Sequence, residues 1–333
     1  MGKKRHLASA RELTLALEDT LSRPIFKLGR RTHERRSSFW LEELTIDFGS
    51  GKTQTVMFKD LSWNNLSAEG RRAKPSFLYD PLREIEVYRL VLGQQQWGSP
   101  VYLGSIADTA RARFWLFSEK VDGRELYQVG DVQQWESVAR WLARFHRCKQ
   151  NFETGLAREL KQHLIRCEKE YYWRWMVRAE SFNTSHTDRS ATAFQGLMRQ
   201  YDQVVDVLLS LPTSLTHGDF YASNVLINRP HEQERICPVD WEMAAIGPSL
   251  MDLAALISGR WSRPHQQQIA EAYYAENAAL YPGPFPKFWR LCQFCRLHLA
   301  IQWLGWSDDW VPPADHQHDW FAEALTLAEE LGL

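Results

Sequence analysis

The sequence predicts an α+β protein with a small antiparallel sheet and one main helix, followed by a larger, mostly helical part. Three observations support this. Three strand-like runs fall between residues 25 and 58, broken by polar turns, and two more follow at 99–102 and 114–117. From Asp131 onward, apolar residues recur at helical spacing. Between Leu215 and Leu256 short strand-forming runs return, and Asp219 and Asp240 sit at their ends, 21 residues apart.

Composition narrows the class. A chain of 333 residues buries a sizeable core, and 44% hydrophobic with 24% charged residues is ordinary for a globular protein. A net charge of −1 offers no overall field for nucleic acid or anionic lipid. No apolar run is long enough to span a bilayer, so no membrane partner is expected. Cys148, Cys167, Cys237, Cys292 and Cys295 are an odd, unpatterned set, and no signal peptide is evident, which points to the cytoplasm. The Cys292/Cys295 pair lies in a helix-like apolar run without a second pair at zinc spacing, and reads as core.

Taken in order, residues 7–21 begin with a capping box, Ser9 and Glu12, and place Leu13, Leu17 and Leu21 on one helical face. Strands are expected at Ile25–Leu28, Phe39–Phe48 and Thr53–Phe58, the last ending at Lys59, with a hairpin turn at 49–52. Two motifs here are decoys. Gly51-Lys52-Thr53 lacks the upstream glycine of a phosphate loop and precedes a strand. Asp47-Phe48-Gly49 precedes, rather than follows, any catalytic loop. A helix is expected over Pro81–Leu92, with Pro81 in its first turn. Asp131–Arg147 carries Trp135, Val138, Ala139, Leu142 and Phe145 on one face. Residues 151–210 are mostly helical and hold eight acidic and eight basic residues. Further helices follow to the C-terminal residues, broken at 281–286 and at Pro312-Pro313.

The chemistry concentrates in 215–256. His217-Gly218-Asp219, Asn224, Val239-Asp240-Trp241-Glu242 and Asp252-Leu253-Ala254 form an ordered set. Hard oxygen donors beside a potential base suit Mg²⁺ and a phosphorylated nucleotide. The set resembles the catalytic loop and metal-binding segment of the aminoglycoside phosphotransferase and choline kinase family, small-molecule kinases with a two-lobed, protein-kinase-like fold. The resemblance spans roughly residues 25–260 and is specific only at the catalytic segments.

The resemblance implies an N-terminal helical extension over 1–23, a nucleotide-binding lobe over 24–118 and a catalytic lobe over 119–333. Acceptor-binding helices would lie at 151–210 and 265–333. Asp219 would orient the acceptor hydroxyl and accept its proton, and Asn224 and Asp240 would hold Mg²⁺. Lys59 reads either as an exposed strand-end lysine or as the lysine of the nucleotide phosphates, with Glu84 as its partner and Glu86 as the alternative. The two glutamates point about 200° apart on a helix, so both cannot serve. Ser37 and Ser38, in a loop with arginines at 30, 31, 35 and 36, are candidates for the phosphate-covering loop. Ser118 and Lys120 mark the expected hinge, whose backbone would meet the adenine edge.

His217, Glu242 and Asp252 are supporting candidates. His217 would brace the loop through a backbone bond, Asp252 would bond the loop backbone, and Glu242 would brace or add a metal contact. His146 reads as structural. The aromatic run Tyr171–Trp175 packs as core, stacks on a sugar or holds a quaternary ammonium. Trp303, Trp306 and Trp310 are candidates for lining the acceptor site.

The expected activity is therefore transfer of the γ-phosphate of ATP, with GTP as an alternative donor, to a hydroxyl of a sugar, aminoglycoside-like antibiotic, choline or other amino alcohol. The competing reading is a nucleotide-binding regulatory pseudokinase. A protein kinase is disfavoured by the absence of H-R-D, of D-F-G after the catalytic loop, and of A-P-E.

Overall fold

The computed structural model describes residues 7–33, 39–49, 51–93, 97–148, 151, 153–182, 189–228, 234–259, 261–306 and 317–333. Ser37, Ser38, Arg35, Arg36, Trp310 and the Pro312-Pro313 break lie outside them. The chain divides into two compact units, one made of residues 1–123 with 228–242, the other of 124–227 with 243–333.

The first unit is built on a five-stranded antiparallel sheet. Its strands are β1 (Lys27–Thr32), β2 (Trp40–Asp47), β3 (Thr53–Asp60), β4 (Tyr102–Asp108) and β5 (Arg113–Glu119), in the order β1-β2-β3-β5-β4. Helix α1 (Ala10–Leu21) carries the reciprocal Ser9–Glu12 capping box and buries Leu13 and Leu17. They meet Leu44, Ile46, Val56, Phe58, Trp115 and Phe117, the apolar face of the central strands. Phe58 stacks on Phe117 and meets Trp115 edge-on.

Three boundaries differ from the sequence expectation. The first strand is Lys27–Thr32 rather than 25–28, because its register is set by pairing Leu28 with Ile46 and Thr32 with Glu42. That pairing draws Arg30 and Arg31 out of the expected loop onto Glu42 and Glu43, at 2.8 and 2.6 Å. The fourth strand starts at Tyr102 rather than Ser99, because the backbone carbonyls of Gly98 and Ser99 accept hydrogen bonds from Arg235 instead. The helix from Pro81 is α-helical only to Val87. Tyr88–Leu92 widens into a π turn, closed by Gly93 N–H donating to Tyr88 O at 2.7 Å. Three short helical pieces absent from the sequence reading, a single turn at Trp63–Asn65, α2 (Ala68–Ala73) and a single turn at Ser76–Leu78, connect β3 to α3 (Pro81–Val87).

The second unit is mainly helical. Helix Val132–Arg147, capped by Asp131, buries Trp135, Val138, Ala139, Leu142 and Phe145 and packs on helix Arg263–Asn277. The long helix Phe285–Leu304 packs against Leu250–Ile257, Lys169–Phe182 and Trp320–Leu331. A small sheet places Ala245–Pro248 between Thr213–Thr216, antiparallel, and Ile165–Arg166, parallel. Cys292 and Cys295 are fully buried and unbridged in the long helix. No described helix is long and apolar enough to cross a membrane.

Candidate active site

In the first unit, strand β3 delivers Lys59 to a buried acidic cluster. The register of β3 against β2 and β5 turns Val56 and Phe58 into the core, so Lys59 faces the opposite side. Its Nζ donates to Glu84 Oε2 and to Asp240 Oδ1, each at 2.6 Å. Glu84 comes from the first turn of α3 and its side chain is 3% exposed. Glu86 points away and pairs with Arg89 on its own helix. Burial alone would push the Lys59 ammonium down, but the Asp240 and Glu84 carboxylates hold its pKa above the ordinary lysine value. Glu84 is held above the ordinary carboxylate value by burial, against the pull of Lys59.

Asp240 adopts a left-handed backbone at φ 68°, a conformation uncommon outside glycine. Trp241 beside it is fully buried, and Glu242 forms a 2.6 Å ion pair with Lys74. Arg83 donates to the Glu242 carbonyl at 2.6 Å and to the Leu78 carbonyl at 2.9 Å. Neither Lys74 nor Arg83 was expected from the sequence. Lys74 lies in a polar stretch without periodicity, and nothing in the sequence around Arg83 marks its bond to the Glu242 carbonyl. Ser118 lies in β5 opposite Met57 and Tyr102, one residue before the strand ends. Lys120 follows it and lies 3.1 Å from Asp122 and 3.7 Å from Glu43.

In the second unit, the loop after Thr213–Thr216 is held by Asp252. Its two carboxylate oxygens accept from the backbone N–H groups of His217 and Gly218 at 2.7 and 2.9 Å. His146 Nε2 donates to the same carboxylate at 3.1 Å, and its Nδ1 lies 2.9 Å from the Tyr273 hydroxyl. Both ring nitrogens of this buried histidine thus have a polar partner. His217 Nδ1 accepts from the Asp219 backbone N–H at 3.3 Å. Asn224 Nδ2 donates to the Asp219 carbonyl at 2.9 Å and to Asp219 Oδ2 at 2.8 Å.

Gly218 makes this turn possible. It sits at φ 78°, and a Cβ there would lie 2.0 Å from the Met243 carbonyl oxygen. Gly218→Ala is expected to destabilise the protein by about 1–3 kcal/mol or more, the scale of a strained backbone position. Urea unfolding measures it, and an unchanged midpoint would contradict the role given to this turn.

Each unit by itself offers a hard oxygen donor of the kind a divalent cation takes. In the first, the Asp240 side chain is 25% exposed; in the second, the Asn224 amide oxygen takes no part in the bonds to Asp219. Of the aromatic candidates, Tyr172 and Trp175 are fully buried and pack as core, and Trp306 stacks on Trp175 at 5.7 Å. Trp303 instead donates its indole N–H to the Tyr221 hydroxyl, two residues beyond Asp219, and stacks on Trp320 at 5.7 Å. Trp320 was not singled out from the sequence, since it stands alone after the unpatterned 307–319 stretch.

An antiparallel sheet with a lysine–glutamate pair, and a helical unit carrying an aspartate–asparagine loop, define a phosphotransferase with a protein-kinase-like fold. A family model described as the phosphotransferase enzyme family (APH) matches residues 71–284, and the chain belongs to that family. Solved structures with the same fold include the Plasmodium vivax ethanolamine kinase, at 14% identity and a TM-score of 0.60, over 93% of this chain and 83% of that one. A putative aminoglycoside phosphotransferase from Ralstonia eutropha aligns at 13% identity and a TM-score of 0.62, over 96% of each chain. The GDP complex of aminoglycoside 2'-phosphotransferase-IIIa aligns at 15% identity and a TM-score of 0.57, over 97% of this chain and 98% of that one. No curated protein sequence matches the chain.

Proposed function

We propose that this phosphotransferase uses a nucleoside triphosphate, ATP before GTP, with Mg²⁺, and moves the γ-phosphoryl group to a hydroxyl of a small molecule. The observation that carries the reading is the Lys59 ammonium bridging Glu84 and Asp240 in one buried cluster. A fixed cation there suits the nucleotide phosphates, and Glu84 keeps it aimed once Asp240 turns to another charge. Bound Mg²⁺, held by Asn224 and Asp240, would neutralise charge on the phosphates.

Asp219 orients the acceptor hydroxyl and takes its proton. Asn224 fixes one carboxylate oxygen, so Asp219 has a defined direction before an acceptor arrives. A hydroxyl is far less acidic than a carboxylic acid, so the proton moves late, as the new P–O bond forms. Ser118 and Lys120 are proposed to flank the adenine edge, and Ser37 and Ser38 to cover the phosphates. Trp303, with Tyr221 and Trp320, is proposed to meet the acceptor, as is the surface of the 151–210 helices.

An ADP-release screen over sugars, aminoglycosides, choline, ethanolamine and homoserine tests the reading. Turnover with at least one alcohol, dependent on Mg²⁺, is expected. Nucleotide binding without turnover across the whole panel would favour a regulatory nucleotide-binding role instead.

A further inference from the structure

Two buried lysines serve the cluster around Asp240, and they differ in one respect. Lys59 contacts two carboxylates, Glu84 and Asp240, so it can release Asp240 and still have a partner. Lys74 contacts one among the described residues, Glu242. Its side chain is 3% exposed, it caps α2, and its ammonium lies 4.8 Å from the Phe39 ring. Withdrawing Glu242 would leave that ammonium buried without a counter-charge, a costly state. Arg83 holds the same residue through its backbone carbonyl. Glu242 thus has an ion-pair partner for its carboxylate and a hydrogen-bond partner for its main chain.

We propose that Lys74 is a positioning residue that takes the Glu242 carboxylate out of the metal-ligand set. It leaves Asp240 as the carboxylate of the Asp240-Trp241-Glu242 segment that meets the cation. This inference rests on the Mg²⁺ reading above. The connection between β3 and α3, which supplies Lys74, thereby acts on the metal site through Glu242.

Mn²⁺ titration of the full-length protein with ADP, followed by the loss of the free-ion paramagnetic signal, tests this without reference to turnover. Lys74→Met is expected to bind a further Mn²⁺, or the same number at least tenfold more tightly, because Glu242 becomes available. Lys74→Arg is expected to bind as the wild type does. Glu242→Gln is expected to change Mn²⁺ affinity by less than twofold. The double variant K74M/E242Q, which buries no charge at this pair and so keeps the test independent of folding, is expected to match the wild type. A tenfold loss of Mn²⁺ affinity in Glu242→Gln or in the double variant would overturn the proposal, as would wild-type binding by Lys74→Met. Asp240→Asn separates the two levels. If it fails to weaken Mn²⁺ binding, the Mg²⁺ reading itself is wrong.

Discussion

Lys59→Met is expected to abolish phosphoryl transfer and, unlike most active-site changes, to destabilise the fold as well. The reason is Glu84, whose side chain is 3% exposed and whose partner is Lys59. Removing one member of a buried ion pair typically costs about 3–5 kcal/mol, since the remaining charge is left without compensation. The deficit should depend on pH, and its sign follows from protonation. Burial already holds the Glu84 pKa above its unfolded value, and losing Lys59 raises it further. The folded variant therefore binds a proton that the unfolded chain releases. Its stability, relative to the wild type, is greatest below the unfolded carboxylate value and falls as pH rises through the folded one. Urea unfolding of both proteins between pH 5 and pH 8 measures the difference. A deficit that stays constant, or grows as pH falls, would mean that Glu84 is not left charged and buried.

Asp219→Asn should behave in the opposite way, with activity lost and the fold kept. The carboxylate accepts from Asn224, and an amide oxygen can replace it in that bond with little change of shape. What the amide cannot do is accept the hydroxyl proton. Loss of a positioned base costs about 10²–10⁴-fold in turnover, so kcat should fall by that order while nucleotide affinity is retained. Single-turnover kinetics with a nucleotide-binding measurement on the same sample separates the two effects. Near-wild-type turnover with an intact fold would remove Asp219 from the mechanism.

The legibility of the molecule varied with the kind of signal. Helix α1 was readable, with its capping box and its end at Leu21, because Ser9 and Glu12 cap it through local bonds, although it starts at Ala10 rather than at residue 7. The helix Val132–Arg147 was equally plain, because one continuous apolar stripe defines it. β1 was misplaced, since its flanking residues carry no alternation and the ladder to β2 sets its register. The π turn at Tyr88–Leu92 had no sequence signal at all, because its apolar spacing also suits an α-helix. At the site, the motif residues were visible because phosphoryl-transfer chemistry demands particular side chains at close spacing. Lys74 and Arg83 were invisible, because their roles depend on a segment more than 150 residues away in sequence.

By itself, then, the sequence determined the class of fold and the order of the residues that carry chemistry, and its motifs carried the resemblance to the family. Those follow from local periodicity and from short-range spacing, which a single chain displays directly. Only the tertiary structure decided which charges meet. It placed Glu84 rather than Glu86 on Lys59, turned Asp252 onto two successive N–H groups, and gave Glu242 to Lys74. The physical reason is that burial makes an unpaired charge costly, so partners are selected by the packing of distant segments and not by their neighbours in sequence.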